Sequence, residues 1–245
     1  MENTKKYAAE GVGTLLLVFF GLGSAIFGID QIGPMGVALT FGFTLLALAY
    51  TFGPVSGCHI NPAVTLGMLI ARRISVTDAV AYWIAQFVGG IVGTALLWGM
   101  VKWGKAADRT GGLGTNDYGK NVNLGGALVL EIVLTFLLVF VVLVVTSRTE
   151  NAGFAGLAIG ITLAVTNLAG IALDGASVNP ARSLGPALFA GGTPLVHVWV
   201  FIVAPLIGGA IAAAALRLVV GEGWRYRSHV DAPPAGPTRR PVRTR

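Results

Sequence analysis

The chain has 245 residues, of which 54% are hydrophobic and 11% charged, against about 25% charged in a soluble domain. With a mean hydropathy of +0.75, that composition excludes an ordinary soluble domain and implies an integral membrane protein. The net charge of +6 is no nucleic-acid footprint, because much of it lies in the C-terminal tail with no basic stripe among aromatics, and the single cysteine, Cys58, excludes an internal disulfide or a cysteine metal cluster.

Tyr7 to about Phe27 reads as a first membrane span, preceded by Lys5 and Lys6. Its apolar run is longer than the core of a signal peptide. A second span runs from about Gly33 to Phe52, where Gly53-Pro54 is expected to break it. A short helix begins at Asn61. The third span covers about Ala79 to Val101 and carries Tyr82 and Trp83 near one interface. Residues 102–123 form a long polar loop. The fourth span is about Leu124 to Thr146 and the fifth about Phe154 to Leu173. A second short helix starts at Asn179, and the sixth span is about Leu195 to Val219. From Gly221 on, Pro, Arg and Gly dominate, which predicts a disordered basic tail over 221–245.

The two short helices share a start. Asn61-Pro62-Ala63-Val64-Thr65 and Asn179-Pro180-Ala181-Arg182-Ser183 lie 118 residues apart, each after small or turn-prone residues. Asparagine is a good N-cap, and proline suits the first helical position because its missing N–H would have had no partner there. The first of these helices has room to run only to Ile70, before Arg72-Arg73. At 1.5 Å per residue that is roughly 14 Å, about half of a ~30 Å hydrocarbon core.

The rest of the chain repeats as well. Ala9-Glu10 matches Leu130-Glu131, and Gln86-Phe87-Val88-Gly89-Gly90 matches Pro205-Leu206-Ile207-Gly208-Gly209. Three spans per repeat is an odd number, so the second copy inserts upside down. The expected organisation is residues 1–115 as one repeat, 116–220 as its inverted partner, and 221–245 as tail. The fold class is all-α membrane: six transmembrane helices plus two re-entrant half-helices, one from each face. Lys5, Lys6, Arg72, Arg73, Arg148, Arg217 and the tail arginines share one side, which places both termini in the cytoplasm of a cell membrane protein.

These motifs resemble the aquaporin (major intrinsic protein) family over about residues 5–220. The resemblance rests on both Asn-Pro-Ala boxes with their flanks, Ser56 to Thr65 and Ser177 to Ser183, and on the paired Glu10 and Glu131. It implies a homotetramer in the lipid bilayer with one pore per subunit, no cofactor, no metal and no nucleic-acid partner. It places an outer constriction at Phe41, Asn167, Ala176 and Arg182. Water-selective members usually carry histidine where Asn167 stands, so the shorter side chain implies a wider opening. Ser183, Ala187 and Phe201 favour the water branch; Ile202 votes against it.

The chemistry expected of such a pore is a mostly apolar wall with a few donors and acceptors. Each half-helix N-terminus carries about +0.5 charge, aimed at the centre. The Asn61 and Asn179 amides are placed to donate to one passing water, which then turns its hydrogens towards both mouths and breaks a proton wire. Carbonyls of residues 56–60 and 174–178 supply acceptors, since irregular backbone is tolerated at this depth where it lines a cavity. Arg182 reads as a fixed cation at the constriction rather than a snorkelling surface residue. Glu10 and Glu131 read as acceptors for the N–H groups of the two re-entrant loops, not as proton carriers. His59 reads as a loop brace, with pore lining the alternative, and His197 and His229 as interfacial and tail residues. Gly156 to Gly160 and Gly89 to Gly93 have small-residue spacing for helix contact, within the chain or between subunits. The leading function is a passive water channel; the alternative is a broader neutral-solute channel that also passes glycerol. An ion-coupled transporter is disfavoured because no acid lies within either box.

Overall fold

The computed structural model describes residues 2–147 and 153–220, and every structural statement here concerns those residues. Arg148, His229 and the tail 221–245, for which the sequence carries expectations, lie outside them. The elements are α1 (Glu2–Ser56), α2 (Pro62–Ile70), α3 (Val76–Lys102), α4 (Leu124–Val145), α5 (Ala155–Gly170), α6 (Pro180–Ala190), α7 (Gly192–His197) and α8 (Val200–Val220). The fold is all-helical and aquaporin-like: α2 and α6 are the short helices, and the others make the six spans.

Three boundaries differ from expectation. Spans one and two are not separated by a loop. Helix α1 runs for 55 residues and turns at a single residue, Gly33 (φ 63, ψ 177). Straight, it would be about 80 Å long, more than twice the bilayer core, so this bend makes two spans of it. Glycine supplies the positive φ at no steric cost, and Pro34 is pre-set to restart a helix. Next, Gly53-Pro54 does not end the second limb. Helix continues to Ser56, the Gly57 N–H donates to the Gly53 carbonyl at 3.0 Å, and the chain leaves at Gly57 with φ 86. Pro54 has no N–H to give the Tyr50 carbonyl, so the last turn lacks one bond of its ladder, yet the helix continues through it. Finally, the sixth span is split at residues 198–199 into α7 and α8, with Ile202 and Val203 N–H groups both closing on the Trp199 carbonyl. Helix α5 stops at Gly170, whose carbonyl accepts from Leu173 and Asp174 N–H as the chain turns into the second re-entrant loop.

Each half-helix packs against the third span of the opposite half. A Cβ at Gly90 on α3 would come within 2.5 Å of the Ala181 carbonyl oxygen on α6, and one at Gly209 on α8 within 2.6 Å of that of Ala63 on α2. Glycine at these two matched positions lets the backbones touch, the usual device where lipid offers no hydrophobic drive for helix association. The small residues flagged in the sequence make their contacts inside the chain: Gly160 faces Gly42 and Leu46, and Gly93 faces Leu15.

Candidate functional site

The two re-entrant loops are copies in their torsions. Gly57 and Gly175 have φ 86 and 88, Cys58 and Ala176 have 51 and 46, and Ile60 and Val178 have 40 and 46. Positive φ at a β-branched residue costs of order 1–3 kcal/mol and persists only when the surroundings enforce it. Two buried carboxylates do the enforcing. Glu10 Oε1 accepts from Ser56 Oγ (2.7 Å) and the His59 N–H (2.9 Å); its Oε2 accepts from the Ile60 N–H (2.6 Å) and Gln86 Nε2 (2.8 Å). Glu131 accepts from the N–H groups of Ser177 (2.6 Å) and Val178 (2.8 Å).

These loops bring the two asparagines together. Asn61 Oδ1 caps its own helix by accepting from the Ala63 N–H at 2.8 Å; Asn179 Oδ1 does the same for Ala181 (3.0 Å) and Arg182 (3.3 Å). Each amide nitrogen then crosses to the other loop. Asn61 Nδ2 donates to the Val178 carbonyl at 2.7 Å, and Asn179 Nδ2 to the Ile60 carbonyl at 3.0 Å. Pro62 and Pro180, each buried, begin the helices without an N–H to satisfy, and Ala63 and Ala181 are fully buried against the opposite half. One hydrogen of each amide is therefore committed, and the other is left for a solute.

Several of the expected carbonyl acceptors also hold a donor from the protein. Besides Ile60 and Val178, the Ser56 carbonyl accepts from Tyr82 Oη, that of Asp174 from the Asp117 N–H and Asn116 Nδ2, and that of Gly175 from Arg182. Each carbonyl oxygen has two lone pairs, so these bonds leave the expected set able to accept from a solute. Tyr82, whose hydroxyl makes the bond to Ser56, is buried within the chain.

A cavity of about 910 Å³ runs past both asparagines, from an end lined by Lys6, Arg73 and Asp78 to one lined by Phe41, Asn167 and Arg182. Arg182 is 4% exposed. Its Nη1 donates to the Gly114 carbonyl (3.0 Å) and Asn116 Oδ1 (2.6 Å), its Nη2 to the Gly175 carbonyl (3.2 Å), and its Cζ lies 5.4 Å from the Phe41 ring centre. Asn167 donates to the Leu163 carbonyl at 2.9 Å while its buried Oδ1 has no partner. Ala176 is buried, next in the chain to Gly175, whose carbonyl holds Arg182. His59 lines the cavity and is also braced, with Nδ1 3.1 Å from Thr65 Oγ1 and its ring edge-on to Tyr82. His197 pairs with Asp117 at 2.6 Å.

Sequence reading missed Gln86, Gly114 and Asn116. A glutamine inside an apolar span was a cue for the first; the other two lie in a polar loop, where nothing marks them out.

A profile of the major intrinsic proteins matches residues 1–216. Aquaporin Z of Rhodopseudomonas palustris is 42% identical over 228 residues, covering 90% of this chain and 95% of that protein. The glycerol uptake facilitator protein-like 6 of Lactiplantibacillus plantarum is 44% identical over 220 residues, covering 89% and 99%. The X-ray structure of the aquaglyceroporin from Plasmodium falciparum superposes with a TM-score of 0.79 at 21% identity, covering 89% of this chain and 97% of that one, which speaks for the fold. With the profile spanning nearly all of the described residues, the chain belongs to the major intrinsic protein family of membrane channels.

Proposed function

We propose that this chain is a passive water channel that excludes protons and ions. The observation that carries the reading is the pair of crossed amides: Asn61 and Asn179 each hold the other's loop and border the same cavity. Both sit at half-helix N-termini, where about +0.5 charge each disfavours a cation and orients a water by its oxygen. Neither Glu10 nor Glu131 lines the cavity, which speaks against ion coupling. We assign the outer constriction to Phe41, Asn167 and Arg182, with Ala176 behind them. By likeness to the family, the working unit is a homotetramer in the cell membrane with both termini cytoplasmic, built from inverted repeats at 1–115 and 116–220.

A second reading adds glycerol or similar neutral solutes. It is favoured by Asn167, a side chain shorter than histidine on the cavity wall, and by the similarity to a glycerol uptake facilitator-like protein. The test is stopped-flow light scattering on proteoliposomes. Vesicles carrying the protein are expected to shrink much faster than empty ones in sucrose, with a low activation energy and no proton current. Flux equal to that of empty liposomes would refute the channel. Reswelling after shrinkage in glycerol, absent in sucrose, would establish the broader reading.

A further inference from the structure

The two halves brace their loops differently. In the first, the Gln86 amide donates to Glu10 Oε2 at 2.8 Å and to Thr65 Oγ1 at 2.9 Å, tying α3 to the loop and the half-helix. Pro205 stands at the matching place in the second half and has no side-chain donor. The hydroxyl matching Thr65, that of Ser183, turns instead to the long loop, where it donates to Asn116 Oδ1 at 2.7 Å. That same oxygen accepts from Arg182 Nη1 at 2.6 Å, the shortest of the bonds that the guanidinium makes. Asn116 is 3% exposed, and its Nδ2 donates to the Asp174 carbonyl at 3.2 Å. The next two residues anchor it: the Asp117 N–H reaches the Asp174 carbonyl, Asp117 Oδ1 pairs with His197, and Tyr118 stacks on the His197 ring at 3.9 Å.

We propose that Asn116 is a positioning residue for the constriction: its side-chain oxygen holds the Arg182 guanidinium against the loop and off the passage. This rests on the assignment of Arg182 to the constriction. Without Asn116, only the Gly114 and Gly175 carbonyls remain, at 3.0 and 3.2 Å. The guanidinium is then free to lean towards the face of Phe41, which attracts a cation, and the passage narrows.

The experiment measures water permeability and its activation energy in proteoliposomes. Once the flux of empty liposomes is subtracted at each temperature, the activation energy that remains does not depend on how many channels are folded, so a merely structural role would leave it unmoved. Asn116→Leu, close in volume, is expected to lower permeability about tenfold, equivalent to about 1.4 kcal/mol of barrier, and to raise the activation energy. Asn116→Asp keeps both acceptor bonds and is expected to retain the parental activation energy. In a channel already carrying Arg182→Val, Asn116→Leu is expected to add nothing, because the group it acts through is gone. A folded Asn116→Leu channel with parental activation energy, or an equal fall in the Arg182→Val background, overturns the proposal. If the leucine variant does not fold, Asn116→Asp decides: a parental value supports the proposal and a raised one overturns it. If Arg182→Val leaves selectivity untouched, the constriction assignment fails and the proposal falls with it, a result distinct from failure at Asn116 alone.

Discussion

Glu10→Leu is expected to yield no folded, conducting protein, whereas Glu131→Leu is expected to assemble with a lowered melting temperature. The two carboxylates occupy matched places, but their loads differ. Glu10 accepts four hydrogen bonds and Glu131 two. Leucine is similar in size and accepts none. Each buried donor left unpaired costs roughly 1–3 kcal/mol, so four cost about 4–12 and two about 2–6. Relief from burying a carboxylate offsets part of both. Set against a typical stability of about 5–15 kcal/mol, the first loss is ruinous and the second survivable. The Glu10 donors also include the N–H of Ile60, a residue held at φ 40 whose carbonyl is tied in turn to Asn179. Thermal melting in detergent, followed by flux in liposomes, ranks the variants. If Glu10→Leu folds and melts like the parent, or Glu131→Leu proves the more damaging, the loop-bracing role is wrong.

The half-helices were legible in the sequence because their signal is local: an N-cap asparagine, a proline at the first helical position, and an apolar stretch cut short by arginines. The inverted repeat was legible because the matched residues meet the same demands twice, as Gly90 and Gly209 do at the two half-helix contacts. The bend at Gly33 was not, because Gly-Pro reads as the end of a helix whether the chain then loops or restarts at once. The support of Arg182 was hidden for another reason. Asn116 and Gly114 lie 66 and 68 residues away from it in sequence, in a loop whose polar composition does not distinguish a buried acceptor from a solvated one. Gln86 had a repeat partner by position, but Pro205 does not share its chemistry, so alignment of the halves concealed what the side chain does.

Arg182→Val is expected to raise glycerol permeability about tenfold or more, to make a proton leak detectable, and to leave water flux within about twofold. The guanidinium lines the cavity and is the bulk that faces Phe41; on the proposed assignment it is the fixed cation of the constriction. At an effective dielectric of about 20, a unit charge some 4 Å away repels a passing cation by ~4 kcal/mol, close to three decades in rate. Valine removes both the charge and the bulk. The Arg182 side chain lines the cavity, so its removal opens the acceptors it leaves behind, the Gly114 and Gly175 carbonyls and Asn116 Oδ1, to that space, where solvent replaces the lost partner, and the fold is expected to hold. The two leaks should differ in size. Nothing at Asn61 and Asn179 changes, and their helix termini still repel cations and still turn the central water. Glycerol meets only width there, while a proton meets a second electrostatic barrier, so the solute leak should exceed the proton leak. Paired measurements of glycerol reswelling and of internal pH after an acid jump test that order. A proton leak that rises more than glycerol flux would place the main proton barrier at Arg182 rather than at the crossed amides.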